Sequence, residues 1–307
     1  MAIDTEKMLD KILASQWALA DIGWDAPGAE RISEAQRPAL KRFMTDLVWI
    51  EQIGARGFAA MARKAPDKTL RQIYELFFAE EQRHANAELA LMRRWGMLDG
   101  GLPPPPSINI RICMRYLDKH ADGMAFSMTL ALISMLEFAL DGALLKFLLE
   151  EVHDPVCHEV FNKINADEAR HLGLDFHVLE LIGKGSQRGT IVDAMLTGLK
   201  PSMWVGLVAG LLPFIVSVED SLDEMGMDPE KLHDAFEKFR AMGRRNPDIR
   251  NNVGYQLIAG LSKQLMIEGG RYQRVAKAMR TLTAPLPPQW LGDIPTWSQG
   301  LTWQSTV

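Results

Sequence analysis

The chain has 307 residues, 47% of them hydrophobic and 24% charged, a balance that excludes a disordered or fibrous protein and allows a sizeable buried core. The formal net charge of -5, with no long run of Lys or Arg, excludes the clustered basic face that phosphate contacts need, so no nucleic-acid partner is expected. Cys113 and Cys157 are the only cysteines and lack a CxxC spacing, which gives neither a disulfide framework nor a thiolate metal site; with acids early in the N-terminal stretch and no apolar run there, the expected location is cytoplasmic.

Strand signals are weak, and apolar residues recur at three- and four-residue spacing over long stretches, so the chain is predicted to be all-α. The first long helix is predicted from Ser33 to Lys64, with Ser33 and Gln36 as a capping box and Pro66 as the stop. The second is predicted from Asp67 to Trp95, ending at Gly96. The run Pro103-Pro104-Pro105-Pro106 cannot continue a helix and predicts an extended crossing segment. A third helix is predicted from Asp118 or Asp122 to Val152, and Asp154-Pro155 opens a fourth that reaches Ile182 before Gly183 and Gly185. Short loop, long loop, short loop is the order of two antiparallel hairpins joined by one long crossover.

Beyond about Thr190 the sequence predicts further helices and a Pro/Trp-rich tail with Trp290, Trp297 and Trp303. These are expected to pack on the same unit, so that residues 1–307 form one domain with its four-helix core over 33–183. Pro201 to Val218 is uncharged and close to the length that spans a bilayer. Pro213 interrupts it, and Glu219, Asp220, Asp223 and Glu224 follow without a cationic flank, so a buried helix and no membrane partner are expected.

The second and fourth helices carry one repeated pattern, Glu80-Glu81-Gln82-Arg83-His84 and Asp167-Glu168-Ala169-Arg170-His171. Residues three apart share a helix face, so Glu81 with His84, and Glu168 with His171, each offer an oxygen and a nitrogen to one point. The first and third helices each place a glutamate inside an apolar stripe: Glu51 among Leu47, Val48 and Ala55, and Glu137 among Ile133, Leu136 and Leu140. Buried ionised carboxylates require partners, and two divalent ions neutralise four of them. Oxygen ligands with some imidazole suit iron or manganese.

With these residues the chain resembles the ferritin-like di-iron carboxylate superfamily, which includes ribonucleotide reductase small subunits, acyl carrier protein desaturases, multicomponent hydroxylases and R2-like oxidases. The match covers about Ser33 to Gly183. The resemblance implies a ferritin-like four-helix bundle with one long crossover and additional C-terminal helices. It also implies metal ligation by Glu51, Glu81, His84, Glu137, Glu168 and His171, with Glu81 and either Glu137 or Glu168 as bridging candidates. Asp167, and by symmetry Glu80, stands where the superfamily often has an acid that hydrogen-bonds a ligand histidine of the other hairpin, fixing its tautomer. Arg83 and Arg170 either pair with these acids or face solvent.

The chain also departs from the patterns within that superfamily. Glu88 stands where a reductase subunit would carry its radical tyrosine, and Leu132 where an R2-like oxidase would carry its cross-linking tyrosine. Ile164 replaces the extra histidine of the N-oxygenase branch, and Asp141 the threonine of the hydroxylases. Asp141 is read either as a proton relay one turn from Glu137 or as a hydrogen-bonded core aspartate, and Asp167 as a tuning residue. Met124, Phe126, Met128, Met135, Phe138, Met203 and Phe214 line either an apolar substrate pocket or ordinary core.

The resemblance implies an enzyme holding two Fe ions, or Mn/Fe or Mn/Mn, that activates dioxygen to hydroxylate, N-oxygenate or desaturate a small apolar or amine-bearing organic substrate. No flavin, nicotinamide or iron-sulfur motif is present, so an external electron donor is expected, and a homodimer is compatible with the long apolar helices. A non-catalytic iron binder or ferroxidase is the alternative.

Overall fold

In the computed structural model, which describes residues 4–98, 104–139, 145–185, 188–226, 228 and 230–287, no strand occurs among the described residues. After α1 (Thr5–Ala14), the Gln36 N–H donates to Ser33 Oγ at 3.3 Å and the Ser33 N–H to Gln36 Oε1 at 3.2 Å. This reciprocal cap stands just ahead of α2 (Arg37–Lys64), four residues later than the predicted start because Ser33 and Gln36 lie outside the regular helix. Asp67 accepts from Leu70 N–H at 2.8 Å to open α3 (Lys68–Arg94), and Gly96, at φ 66°, closes it in the left-handed conformation.

The crossing segment is not extended throughout, as the proline run suggested. Ser107 caps α4 (Ile108–His120), whose Ile110, Cys113, Met114 and Leu117 recur at helical spacing and are buried. Asp118, one predicted start of the third helix, belongs to α4 and pairs with Arg56 at 2.9 Å. The third bundle helix begins instead at α5 (Phe126–Ala139), and α6 (Lys146–Glu151) follows beyond residues 140–144, which lie outside the described residues. Asp154 accepts from Val156 N–H at 3.1 Å, with Pro155 in the first turn, and opens α7 (Pro155–Lys184).

Helix α2 packs on α3, α3 on α7, α7 on α5 and α5 on α2, closing a four-helix ring with the ferritin-like connectivity of one long crossover. Around it lie α8 (Arg188–Gly198), α9 (Pro201–Gly206), a π-helical turn (Leu207–Leu211), α10 (Leu212–Glu224), α11 (Glu230–Arg245), α12 (Pro247–Asn251), α13 (Val253–Leu265) and α14 (Arg271–Thr283). Helix α13 covers α5, α12 covers α7, and the π turn with α10 lies over α4 and α2. Apolar side chains from Ile12 to Ala276 form one continuous core.

Among the described residues one stretch, Pro201–Glu224, is long and apolar enough to cross a membrane. Most of it, 61% of its apolar window, is buried within the chain, where Leu212, Phe214 and Ile215 join the core. Trp290, Trp297 and Trp303 lie outside the described residues.

Candidate metal centre

Four helices contribute to one point inside the ring: α2 supplies Glu51, α3 Glu81 and His84, α5 Glu137, and α7 Glu168 and His171. All six are buried, and both histidines are fully so. Their ligand atoms fall into two compact sets, Glu51, Glu81, His84 and Glu168 in one and Glu81, Glu137, Glu168 and His171 in the other, with the atoms of each set within 4.8 Å of one another. Glu81 and Glu168 belong to both sets, whereas Glu137 belongs to one.

The sets do not simply reproduce the two sequence repeats. His84 Nδ1 lies 2.9 Å from Glu168 Oε1 but 3.9 Å from Glu81 Oε1, its neighbour in the repeat, and 3.6 Å from Glu51 Oε2. His171 Nδ1 lies 3.1 Å from Glu168 Oε2, 3.4 Å from Glu81 Oε1 and 3.8 Å from Glu137 Oε1. Each hairpin thus completes the site of the other.

Both imidazoles turn Nδ1 inward and Nε2 outward, and each outward nitrogen meets an acid of the opposite helix. His84 Nε2 is 3.0 Å from Asp167 Oδ2, and His171 Nε2 is 2.8 Å from Glu80 Oε2. An Nε2–H donated to a carboxylate leaves the Nδ1 lone pair for a metal. The repeat's arginines face these acids rather than solvent: Arg83 reaches Asp167 at 2.9 Å and Glu80 at 3.4 Å, while Arg170 reaches Glu80 at 3.3 Å and contacts Asp167. Two acids and two arginines balance in this outer layer, which leaves the four inner carboxylates to be neutralised from within.

Protons perform that task in the absence of ions. Burial alone would lower both histidines, but hydrogen bonds to Asp167, Glu168 and Glu51 outweigh it at His84, as do Glu168 and Glu80 at His171, and both are raised well above the usual imidazole range. Burial would raise Glu168, yet the two imidazoles hold it at about 2. Glu81 is pushed up by burial and then by Glu51 and Glu168, and Glu137 by burial and then by Asp175 and Glu168. Glu81 Oε1 and both oxygens of Glu137 are buried without a hydrogen-bond partner. Orphaned ligand atoms in two four-donor sets, with no thiolate, fit two ions of the iron or manganese type.

Other residues at the centre escaped sequence reasoning. Trp17, in the loop after α1, donates its indole N–H to Asp167 at 2.8 Å, and Gln16 donates to Glu80 at 2.6 Å. Asp175, one turn beyond His171, is fully buried, accepts from Tyr74 at 3.2 Å and Ser134 at 3.3 Å, and is pushed by burial up to about 7. Glu88, one turn beyond His84, is also fully buried. A readable signal existed for the last two, because the repeat continues to an acid four residues after each histidine. Asp141 lies outside the described residues.

A small cleft opens directly on Glu51, Glu81, Glu137 and Glu168. A second, apolar one runs under the π turn between α4, α5 and α13. Ile53, Ile133, Leu136 and Phe214 line both, so only apolar side chains separate the apolar cleft from the carboxylates. Of the seven Met and Phe residues considered above, Met203 and Phe214 line the apolar cleft, while Met124, Met128 and Met135 are buried core.

No family model matches this chain, nor does any curated protein sequence. Among solved structures the chain is similar to a point mutant of an R2-like ligand-binding oxidase with an aerobically reconstituted Mn/Fe cofactor, at 10% identity and a TM-score of 0.47, covering 91% of this chain and 93% of that one.

Proposed function

We propose that this chain is a di-metal oxidase that uses dioxygen to oxidise a small apolar organic molecule. The observation that carries this reading is the pair of buried donor sets sharing Glu81 and Glu168. When bound there, two ions would supply the redox chemistry that side chains lack, namely reduction of dioxygen. Glu51 and His84 would hold one ion, Glu137 and His171 the other, and Glu81 and Glu168 would be shared between them.

The remaining residues orient, exclude and admit. Asp167 and Glu80 fix the imidazole tautomers, and Arg83 and Arg170 keep those acids charged against the cost of burial. Ile133, Leu136 and Phe214 keep bulk water from the carboxylates. The apolar cleft beyond them offers carbon side chains and the Tyr116 ring, which favours an apolar substrate over an amine. Electrons beyond those the substrate supplies come from an external donor.

Elemental analysis of protein produced with iron and manganese both supplied, beside Glu168→Ala, tests this. About two ions per wild-type chain, lost in the variant, is the expected result. Dioxygen consumption should then require both a reductant and an apolar substrate. A folded wild type without metal would sink the proposal, whereas iron oxidation continuing past two ions per chain without substrate would support the iron-binding alternative.

A further inference from the structure

The repeated pattern on α3 and α7 extends beyond its histidines to a fully buried acid at the same register, Glu88 after His84 and Asp175 after His171. The two acids differ in what surrounds them. Asp175 accepts hydrogen bonds from the hydroxyls of Tyr74 and Ser134. Glu88 has no hydroxyl donor: both of its carboxylate oxygens are buried, and the side-chain hydrogen bond acting on it is with another acid, Glu51. The charged groups acting on it most strongly are Glu51, His84 and Glu81, three members of one donor set. Residues 81, 84 and 88 are spaced by three and then four, so they share one face of α3. Two buried carboxyls that face each other are costly unless a proton or a cation lies between them, and here the partner acid is itself a metal-ligand candidate, while Glu88 stands just outside the two compact donor sets.

We propose that Glu88 is a further metal ligand, belonging with Glu51 and His84 to one ion alone, so that the two ions of the centre occupy unequal donor sets. This rests on the di-metal reading above. The Glu51–His84 side then carries one more negative charge than the Glu137–His171 side, where the mirrored acid is held by hydroxyls. That asymmetry gives two otherwise similar positions different affinities for the same ion.

The test is an anaerobic Mn(II) titration of the full chain, with free Mn(II) read by electron paramagnetic resonance, on wild type, Glu88→Gln, Glu88→Leu and Asp175→Asn. Without metal, Glu88→Gln should melt no lower than wild type, since it replaces one of two buried acids that face each other with an amide that can donate; Glu88→Leu provides a second, wholly apolar check on folding. Wild type should bind two ions. In both Glu88 variants one binding event should weaken at least tenfold and the other less than threefold, with a correspondingly smaller rise in melting temperature on adding metal. Asp175→Asn should leave both events within threefold of wild type. Two ions bound with wild-type affinities by the Glu88 variants would overturn this inference alone. So would an equal weakening in Asp175→Asn, which would mark the effect as one of buried charge at a distance. Fewer than two ions in the wild type would overturn the di-metal reading and this inference with it.

Discussion

Asp167 on α7 holds His84 on α3 at 3.0 Å, and the converse bond, Glu80 on α3 to His171 on α7, measures 2.8 Å. The two hairpins are therefore tied through the outward nitrogens of the histidines that face the metal centre. Asp167 is itself fixed by Trp17, Arg83 and Arg170, and although burial would raise it, His84, Trp17 and Arg83 hold it well below the usual carboxylate range. Its charge and its single orientation set the His84 tautomer. Asp167→Asn should weaken one ion about 10- to 100-fold, and Glu80→Gln the other. Calorimetric metal titration checks this, and wild-type affinities in both variants would show that the acids only brace the bundle.

Gly54 on α2 faces Glu81. A Cβ there would collide with Glu81 Oε2 and stand 3.0 Å from its Cδ. Gly54→Ala improves local helix propensity by about 1 kcal/mol, so the helix itself should not suffer. Glu81 must move, however, and it is shared by both donor sets. The expected outcome is helical content like that of wild type with metal content reduced well below wild type, measured by circular dichroism beside elemental analysis. Full metal loading would mean that Glu81 is dispensable as a bridge.

The bundle and its six inner residues were legible in the sequence because they are local patterns. Caps at Ser33, Asp67 and Asp154 mark helix starts, and Glu-x-x-His spacing puts two donors on one face whatever the tertiary context. Which carboxylates belong to both donor sets was not legible, since Glu168 and Glu137 differ only in how far each reaches across the ring. Trp17 and Gln16 were invisible for a related reason: they come from a loop about 150 and 64 residues away in sequence from the acids they meet. Helix α4 was obscured by the prolines just before it, which stop one helix without preventing Ser107 from starting another. Glu88 and Asp175 extend the repeat, a signal the sequence reading passed over, and only the surroundings distinguish an acid held by hydroxyls from one that meets another acid.

In the metal-free centre, protons occupy the nitrogens that ions require. His84 and His171 are both raised by the carboxylates around them, despite burial, and Glu81 and Glu137 are raised as well. Metal must displace these protons, so affinity should rise with pH across the neutral range and loading should release at least about one proton per imidazole. An indicator dye in weakly buffered solution measures the release. Loading without acidification would contradict the protonation of both histidines.

Leu136 lines both the cleft at the carboxylates and the apolar cleft behind it. Leu136→Phe narrows that junction at an overpacking cost of about 1–3 kcal/mol, while Leu136→Ala widens it. Metal content should remain at the wild-type level in both. Binding of a series of straight-chain alcohols, followed by calorimetry, should shift to shorter chains in the first variant and to longer ones in the second. An identical size preference in all three proteins would remove the apolar cleft from the substrate path.

Asp46 supplies a pH dependence of stability separate from the metal centre. It is buried on α2, and burial pushes its carboxyl up to about 6, outweighing Arg42 and Arg280. Those two arginines are already engaged elsewhere, Arg42 with Glu224 at 2.6 Å and Arg280 with Asp220. Its unfolded value is 3.8, so between there and about 6 the folded state binds more protons than the unfolded state, and stability falls as pH rises through that window. Above it the loss is complete and constant, about 3 kcal/mol. Asp46→Asn should therefore stabilise the protein at pH 7.5, raising its melting temperature by a few degrees, with the advantage gone below pH about 4. Thermal melts at both values decide it: an advantage that persists in acid would point to packing, and none at pH 7.5 would mean that Asp46 is neutralised by the arginines after all.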